Sequence, residues 1–361
     1  MSAVKKIAFR CLSVVFGLLL AALVAEMVLR LGGYSPIYVN PLGAFHEPHA
    51  LVGYRGKPNF TGRFSRDDFD VVIAHDENGF RKQEYQNPKE KTHRNVFVFG
   101  DSITWGWGVG QGKVFTDVMS RLMPRYHIMN FGLNASGTVA QFTLFEAYSK
   151  ELVQPGDTVV LVFVNNDFKD NVTGFLYGRV REGRVKRVGP TRLLRSKKRF
   201  DIMQASYSIN YLVFAQQVTK GVVQEKRANE KAPQLVALGD ESPEMVVTKY
   251  FLAEFKRNVE QKRARFVVVY VPPQGELAET PNISDTAVKN QSGLRKAFFA
   301  CAEPSSLRTL DLLPHFLSAK RSGQYDRLTF AHDKHWNENG HAVAGKTVAE
   351  FILAEDRIHR H

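Results

Sequence analysis

The chain has 361 residues, and its composition of 44% hydrophobic and 24% charged residues excludes a disordered protein and allows a large buried core. The formal net charge of +13 favours polyanionic surroundings, namely anionic lipid headgroups, acidic polysaccharide or nucleic acid, without choosing among them. Of the two cysteines, Cys11 lies in an apolar N-terminal segment, so Cys301 has no expected partner. We therefore expect neither a disulfide nor a cysteine-based metal site.

Residues 1 to 35 form a predicted membrane anchor. An uncharged run from Cys11 to Ala25 continues into an apolar stretch in which Glu26 can pair with Arg30 one helical turn later. The basic residues before the run are Lys5, Lys6 and Arg10. Because basic residues are concentrated before the run, we predict a cytoplasmic N-terminus, with the rest of the chain outside the cytoplasm. A cleaved signal peptide is the alternative, but Leu23-Val24-Ala25 is a poor small-x-small cleavage site and favours an uncleaved anchor.

Residues 36 to 93 are interrupted by many prolines and glycines. One short apolar stretch runs from Asp70 to Ala74, and a hydrophilic stretch from Gln83 to Arg94 follows. The interrupting residues include Pro41, Pro48, Gly53, Gly56, Pro58 and Gly62. We predict an irregular lead-in with one or two strands between the anchor and the main domain.

The apolar run from Asn95 to Phe99 is followed directly by Gly100-Asp101-Ser102. Consecutive β-branched and aromatic residues without polar alternation are typical of a strand buried on both faces, as in the centre of a parallel sheet. Such a strand would end at Gly100 and leave Ser102 at the carboxyl edge of the sheet, where ligands bind in open α/β folds. Ser102 is therefore a candidate nucleophile. The same tripeptide is also typical of an ordinary turn.

Further strands alternate with helical stretches along the chain. The other predicted strands are residues 127–131, 157–164, 265–271 and 309–312. The first two of these end in small or polar residues, as the strand before Ser102 does. This alternation predicts a doubly wound α/β sheet.

A polar stretch, His332-Asp333-Lys334-His335, precedes a predicted C-terminal helix. If the stretch is extended, alternate side chains point the same way, so Asp333 and His335 can form a carboxylate–imidazole hydrogen bond. That bond would fix the histidine tautomer and leave its other nitrogen able to accept a serine proton. Two alternatives stay open. The pair could cap the last helix, or His332, Asp333 and His335 could bind a metal.

Four motifs in this order resemble those of the SGNH/GDSL hydrolases: Gly100-Asp101-Ser102, Asn130 to Thr138, Val164-Asn165-Asn166-Asp167 and Asp333-Lys334-His335. The resemblance covers about residues 94 to 355 and implies serine ester chemistry on a flavodoxin-like three-layer α/β/α sandwich with a parallel sheet. By motif, Ser102 would be the nucleophile, His335 the general base and Asp333 its orienting carboxylate. The oxyanion hole would comprise the backbone N–H of Ser102, a backbone N–H at Ala135 and the side-chain amide of Asn166.

The sequence departs from the family pattern at three places. Ala135 aligns with the family's second-motif glycine, Val164 aligns with the glycine of Gly-x-Asn-Asp, and a single residue separates the acid from the base where many members have two. Only a backbone N–H is needed at position 135, so alanine is tolerable there if its φ permits.

Between about residues 171 and 243 the chain leaves the alternating pattern, which predicts an insertion after the third strand. Gly178 to Arg187 alternates around Glu182-Gly183, a hairpin pattern. A group of basic residues follows: Arg192, Arg195, Lys197, Lys198 and Arg199. The group is either a solvated surface or a site for acidic glycan or lipid headgroups. No aromatic-interleaved motif accompanies it, so we expect no nucleic-acid partner.

The resulting hypothesis is an anchor (1–35), a lead-in (36–93) and an SGNH-type hydrolase domain (94–361) with the basic insertion. The predicted function is a serine esterase or acyl hydrolase, or an O-acyltransferase, acting on acylated polysaccharide or lipid of the envelope without a metal or other cofactor. The resemblance to anchored bacterial members implies a single-pass inner-membrane protein whose catalytic domain is periplasmic. The alternative is a non-catalytic envelope module that keeps the fold for binding.

Overall fold

The structure is a computed structural model that describes residues 3–33, 45–66, 68–85, 94–189, 206–209, 211–212, 215, 238–277, 285–333 and 335–358. The chain divides into two compact units. One comprises Met1–Ala44 with Ser196–Pro233, and the other comprises Phe45–Arg195 with Gln234–His361. The basic group predicted between Arg192 and Arg199 lies outside the described residues.

The first unit contains helix α1 (Ala3–Leu31). By length and composition, its segment Lys5–Leu31 is able to cross a membrane, a property that N-terminal signal sequences share. The rise from Arg10 to Arg30 is about 30 Å, which matches the hydrocarbon core of a bilayer. The Nε of Arg30 donates to Oε1 of Glu26 at 2.8 Å, so the ion pair expected one turn apart is present.

The second unit begins with two antiparallel hairpins from the lead-in. Their strands are β1 (His46–His49), β2 (Gly53–Gly56), β3 (Thr61–Arg66) and β4 (Phe69–Ala74). The described part of the lead-in thus holds four short strands where the sequence predicts one or two. Phe45 stacks on Trp105 with ring centroids 5.5 Å apart, and Phe64 meets Trp107 edge-on at 4.9 Å. These buried aromatic contacts explain how the two hairpins pack despite their glycines and prolines.

A five-stranded parallel sheet forms the centre of the second unit. The remaining strands are β5 (Arg94–Gly100), β6 (Tyr126–Gly132), β7 (Thr158–Phe163), β8 (Tyr177–Arg181), β9 (Arg184–Val188), β10 (Arg265–Tyr270) and β11 (Arg308–Asp311). The order across the sheet is β6-β5-β7-β10-β11, and each neighbouring pair is parallel. This is the flavodoxin-like order, in which the direction of winding reverses between β5 and β7, the first and third strands of the sheet in chain order. In such folds, ligands bind at the carboxyl ends of these two strands.

Helices lie on both faces of this sheet. They are α2 (Ser102–Trp105), α3 (Phe115–Leu122), α4 (Thr138–Leu144), α5 (Asp167–Thr173), α6 (Pro243–Gln261), α7 (Asp285–Ala302), α8 (Leu313–Arg321) and α9 (Glu338–Ile358). A π-helical turn spans Phe145–Ser149, and 3₁₀ turns span Gln274–Leu277 and Glu303–Ser305.

The alternation of side chains along β5 produces the three layers. Val98 belongs to an apolar cluster with Met119 of α3 and Val348 of α9. Phe99 points to the opposite face, where its ring lies 5.7 Å from that of Phe255 in α6. Each such side chain stabilises the fold by about 1.5–3 kcal/mol through burial. Because both faces are covered by helices, the strand carries no alternating polar residue, as the sequence predicts for the centre of a parallel sheet.

The hairpin predicted at the start of the insertion is present as β8 and β9. Glu182 and Gly183 form its turn with φ values of 53° and 70°. Two left-handed residues in succession are what a two-residue type I′ turn requires.

Candidate active site

Ser102 stands at the carboxyl end of the central strand. β5 ends at Gly100, and Ser102 opens the short helix α2. Asp101 caps this helix, since its Oδ1 accepts a hydrogen bond from the backbone N–H of Ile103 at 2.9 Å. A Cβ at position 100 would collide with Oγ1 of Thr104, so the tight strand-to-helix turn requires glycine there. The turn leaves Ser102 partly accessible at the sheet edge.

Ser102, His335 and Asp333 form a continuous chain of hydrogen bonds. Oγ of Ser102 lies 2.7 Å from Nε2 of His335, although the two residues are 233 positions apart. Nδ1 of the same ring contacts Oδ1 of Asp333, which also accepts from the backbone N–H of His335 at 3.0 Å. When Nδ1 donates to a carboxylate, Nε2 of the neutral imidazole is left as the acceptor for the serine hydroxyl.

The environment of Asp333 keeps its carboxylate ionised. Burial alone would raise the pKa of Asp333, but the hydrogen bonds from His335 and the charge of that ring lower it to about 2. Oδ2 of Asp333 accepts a further hydrogen bond from Nε1 of Trp107 at 3.0 Å. Both carboxylate oxygens are therefore hydrogen-bonded, and a negative charge persists beside the imidazole throughout the neutral pH range.

The segment 332–335 is held in place by two residues that the sequence analysis did not predict. The ring of Trp107 stacks on that of His335 with centroids 5.3 Å apart. Oδ2 of Asp68, between β3 and β4, accepts from the backbone N–H groups of His332 and Asp333, both at 2.8 Å. Trp107 is 226 positions from Asp333 and Asp68 is 265, so no local pattern signals either contact.

The structure separates the side chains of the alternative metal site. Nδ1 of His332 contacts Oδ1 of Asp68 at 2.9 Å, and the His332 side chain is 77% exposed, whereas His335 turns inward to Ser102. Lys334 lies outside the described residues. The last helix has another cap, because Oδ1 of Asn337 accepts from the backbone N–H of Gly340 at 3.1 Å. Asp333 and His335 are thus engaged with each other and with Ser102.

The second motif adopts a backbone conformation normally reserved for glycine. Ala135 has a φ of 51°, in the left-handed region, which costs an alanine about 1–2 kcal/mol. The loop is held to the end of β5 by the backbone N–H of Leu133, which donates to the carbonyl of Gly100 at 3.0 Å. Alanine is expected to be tolerable here if its φ permits, and a φ of 51° is open to alanine only at this energetic cost.

Asn166 lies at the same edge, but its amide is already engaged. Its Nδ2 donates to Oδ2 of Asp170 at 2.9 Å and to Oδ2 of Asp101 at 3.3 Å. Burial raises the pKa of both carboxyls, that of Asp101 to about 6. Because both amide hydrogens are directed at carboxylates, Asn166 can reach a substrate oxygen only by exchanging one of these bonds, and the longer one to Asp101 is the weaker.

A comparison with protein families matches the C-terminal part of the chain. Residues 233–361, which include Asp333 and His335, match the sequence model of a family described as ALGX, the SGNH hydrolase-like domain of the acetyltransferase AlgX. The chain has an SGNH-type fold. No curated protein sequence matches this SGNH-type chain significantly.

Several solved structures are similar to the SGNH-type chain. A lipolytic protein of the G-D-S-L family from Veillonella parvula shares 14% identity at a TM-score of 0.41, covering 71% of this chain and 97% of that one. A carbohydrate acetylesterase from Sinorhizobium meliloti shares 15% identity at a TM-score of 0.37, with 72% and 99% covered. The aryl esterase of M. smegmatis shares 16% identity at a TM-score of 0.38, also with 72% and 99% covered. At these identities and scores the comparison says nothing about the substrate.

Proposed function

We propose that this protein is a serine esterase or O-acyltransferase acting on ester-linked acyl groups, anchored to the membrane by α1. The observation that carries the proposal is the hydrogen-bonded chain from Ser102 through His335 to Asp333 at the carboxyl edge of the sheet. An imidazole oriented by a carboxylate takes up the serine proton as the hydroxyl attacks a carbonyl. Ser102 is the nucleophile in this proposal, His335 the general base and Asp333 the orienting carboxylate.

The reaction has two symmetrical halves. In the first, a bond forms between Oγ of Ser102 and the acyl carbon while the hydroxyl proton moves to Nε2 of His335. The ester C–O bond then breaks, the leaving alcohol takes this proton, and the acyl group stays on Ser102. In the second half, water or an acceptor hydroxyl gives its proton to His335 and attacks the acyl carbon. The released Ser102 oxygen recovers the proton from Nε2.

The oxyanion of each tetrahedral intermediate needs donors that are already in place. We assign this role to the backbone N–H groups of Ser102 and Ala135 and to the amide of Asn166. The left-handed conformation at Ala135 supports this assignment, since strained backbone conformations are concentrated at active sites and ligand-binding turns. Asn166 joins by releasing Asp101, which is the longer of its two carboxylate contacts.

Hydrolysis and transfer differ only in whether water or a hydroxyl attacks the acyl-serine. The description of the matching family as an acetyltransferase supports transfer of a small acyl group as one of the two outcomes. The net charge of +13 supports an acidic envelope polysaccharide or lipid as the substrate.

We further propose that α1 remains uncleaved in the bacterial inner membrane, with its N-terminus in the cytoplasm and the catalytic unit in the periplasm. The apolar helix and the basic residues before its uncharged run support this topology. A reporter fused after His361 should behave as extracytoplasmic, and the protein should stay with membranes after a carbonate wash. Recovery of a soluble form beginning near Glu26 would instead establish a cleaved signal.

The catalytic proposal is tested with the full-length protein in detergent micelles. A fluorophosphonate should label the unaltered protein and the His332→Ala variant, because His332 faces Asp68, but it should not label Ser102→Ala. Acetylated sugars and short and long acyl esters, each with and without an acceptor glycan, then separate hydrolysis from transfer through the products formed. A folded protein that neither reacts with the probe nor turns over any ester would favour the non-catalytic binding module.

A further inference from the structure

A short segment of the insertion is attached to the end of α1. Within the first unit, the carboxylate of Glu26 accepts hydrogen bonds from the backbone N–H of Tyr207 at 3.0 Å and of Ser208 at 2.9 Å. The hydroxyl of Ser206 donates to the same carboxylate at 3.0 Å. The guanidinium of Arg30 lies 4.4 Å from the centre of the Tyr207 ring while it also donates to Glu26. One turn of α1 thus holds three successive residues of a distant part of the chain.

The position of Glu26 makes this attachment informative. Glu26 is one turn inside Arg30, or about 6 Å along the helix, and the helix around it is apolar. A carboxylate at the margin of a bilayer is costly unless donors surround it. Glu26 has four donor groups from Arg30 and residues 206–208, so the segment supplies hydrogen-bond donors that lipid acyl chains lack. These bonds favour a position of residues 206–208 at the same depth in the bilayer as Glu26.

The same segment carries exposed apolar side chains. Ile209 is 38% exposed, Tyr211 is 47% exposed and Leu212 is 66% exposed. On α1, Val28 and Leu31 are exposed as well, at 62% and 82%. Exposed apolar side chains are therefore present both at the end of the helix and at residues 209, 211 and 212, and tyrosines are typical of the boundary between lipid and water.

We infer that residues 206–209, 211 and 212 lie in the membrane interface beside the exit of α1, and that lipid covers Ile209, Tyr211 and Leu212. The inference depends on the proposed membrane insertion of α1 and is independent of the proposed ester chemistry. Lipid is the occupant because the exposed side chains belong to a segment that is hydrogen-bonded to a helix whose own apolar side chains face outward, and because the polar groups nearest to it are paired with each other. The insertion then gives the chain a second membrane contact besides the spanning helix.

The test measures the depth of single fluorescent labels in full-length protein reconstituted into phosphatidylcholine vesicles. The background variant is Cys11→Ser, since Cys11 is exposed and Cys301 is buried. An NBD label is placed at Leu212→Cys, with Leu18→Cys in α1 as the membrane reference and the exposed Tyr250→Cys in α6 as the aqueous reference. The background variant without a new cysteine measures labelling of Cys301.

The label at position 212 should show blue-shifted emission and be quenched by a nitroxide near the lipid headgroup more strongly than by one deep in the acyl chain. The label at position 18 should show the reverse order, and that at position 250 should be quenched by aqueous iodide alone. If position 18 behaves as expected while position 212 matches position 250, the interfacial segment is wrong and the anchor stands. Shielding of position 212 from both lipid nitroxides and iodide would mean that a protein covers it, which also overturns the inference. If position 18 is not quenched by lipid, the anchor and the inference both fail.

A second variant tests the link through Glu26. Glu26→Ala should shift the label at position 212 toward aqueous emission and leave the label at position 18 unchanged, because only the attachment of residues 206–208 is lost. Glu47→Ala is the matched control, since that glutamate pairs with Arg55 in the lead-in. Unchanged lipid quenching at position 212 in Glu26→Ala would show that the carboxylate does not hold the segment there.

Discussion

The Ser102 turn combines a helix cap formed within a few residues of the serine with long-range hydrogen bonds from Leu133 and Asn166, whereas the described residues of the segment 332–335 have no such helix cap and are fixed at the start of the segment by Asp68 and Trp107. Asp101 caps α2 through Ile103, and the backbone N–H of Trp105 donates to the Asp101 carbonyl at 3.0 Å. The 332–335 segment instead depends on Asp68 and on Trp107. The position of the proposed base should therefore be the more sensitive of the two to changes at Asp68 and at the indole N–H of Trp107.

We expect the largest effects from changes where the Ser102 turn meets the segment 332–335. Asp333→Asn should lower ester turnover by a factor on the order of 10³ or more, because an amide can present the wrong group to Nδ1 of His335 and leave the ring in the wrong tautomer. The loss should be comparable to that in Ser102→Ala, in assays of kcat with a small neutral ester. Full turnover in Ser102→Ala would mean that the serine-hydrolase assignment is wrong, and full turnover in Asp333→Asn would mean that Asp333 does not orient His335.

The variant Asp68→Ala tests how strongly the lead-in fixes the position of His335, the proposed base. We expect kcat to fall by about 10- to 100-fold with little change in KM, since a small displacement of Asp333 and His335 misaligns proton transfer without removing substrate contacts. Asp68→Asn should recover part of the loss, because an amide oxygen can still accept from the backbone N–H groups of His332 and Asp333. Asp70→Ala is the control, as this carboxylate in the same hairpin pairs with Arg63. Equal losses in Asp68→Ala and Asp70→Ala would reduce the role of Asp68 to general stabilisation of the hairpin.

Trp107→Phe separates stacking from hydrogen bonding at the same segment. Phenylalanine keeps an aromatic ring beside His335 but loses the indole N–H that donates to Oδ2 of Asp333. The loss of one hydrogen bond to a charged group should lower kcat about tenfold. An unchanged kcat would show that the ring contact with His335 suffices and that the hydrogen bond to Asp333 is not needed for turnover.

Asp101→Asn should have its clearest effect on stability rather than on rate. Burial raises the pKa of Asp101 to about 6 in the folded protein, so between about pH 4 and 6 the folded state binds a proton that the unfolded state has lost. Stability from this group is therefore present below about pH 4 and is lost as the pH rises through 6, by on the order of 3 kcal/mol. Asparagine does not titrate. The Tm of the variant minus the Tm of the unaltered protein should therefore be larger at pH 7.5 than at pH 4.5. A difference in Tm between the two proteins that does not change with pH would contradict the raised pKa.

The sequence by itself determined the features that depend on neighbouring residues. The unbroken apolar run before Gly100 requires a strand covered on both faces, and the two-residue spacing of Asp333 and His335 allows their contact. The Glu182-Gly183 turn follows from local backbone preferences in the same way. The expected oxyanion donors came from family resemblance, because no local pattern shows which amide a distant turn will face.

Only the tertiary structure decided which distant residues meet. The strand order brings the ends of β5, β6 and β7 together, and the lead-in delivers Asp68 to a segment 264 positions away. The tertiary structure also directs the amide of Asn166 to Asp101 and Asp170. The motif pattern cannot show that these carboxylates compete with a substrate oxygen for the amide. The physical reason is that periodicity and turn preference act over a few residues, whereas these contacts result from burial of aromatic and apolar surface between elements far apart in the chain.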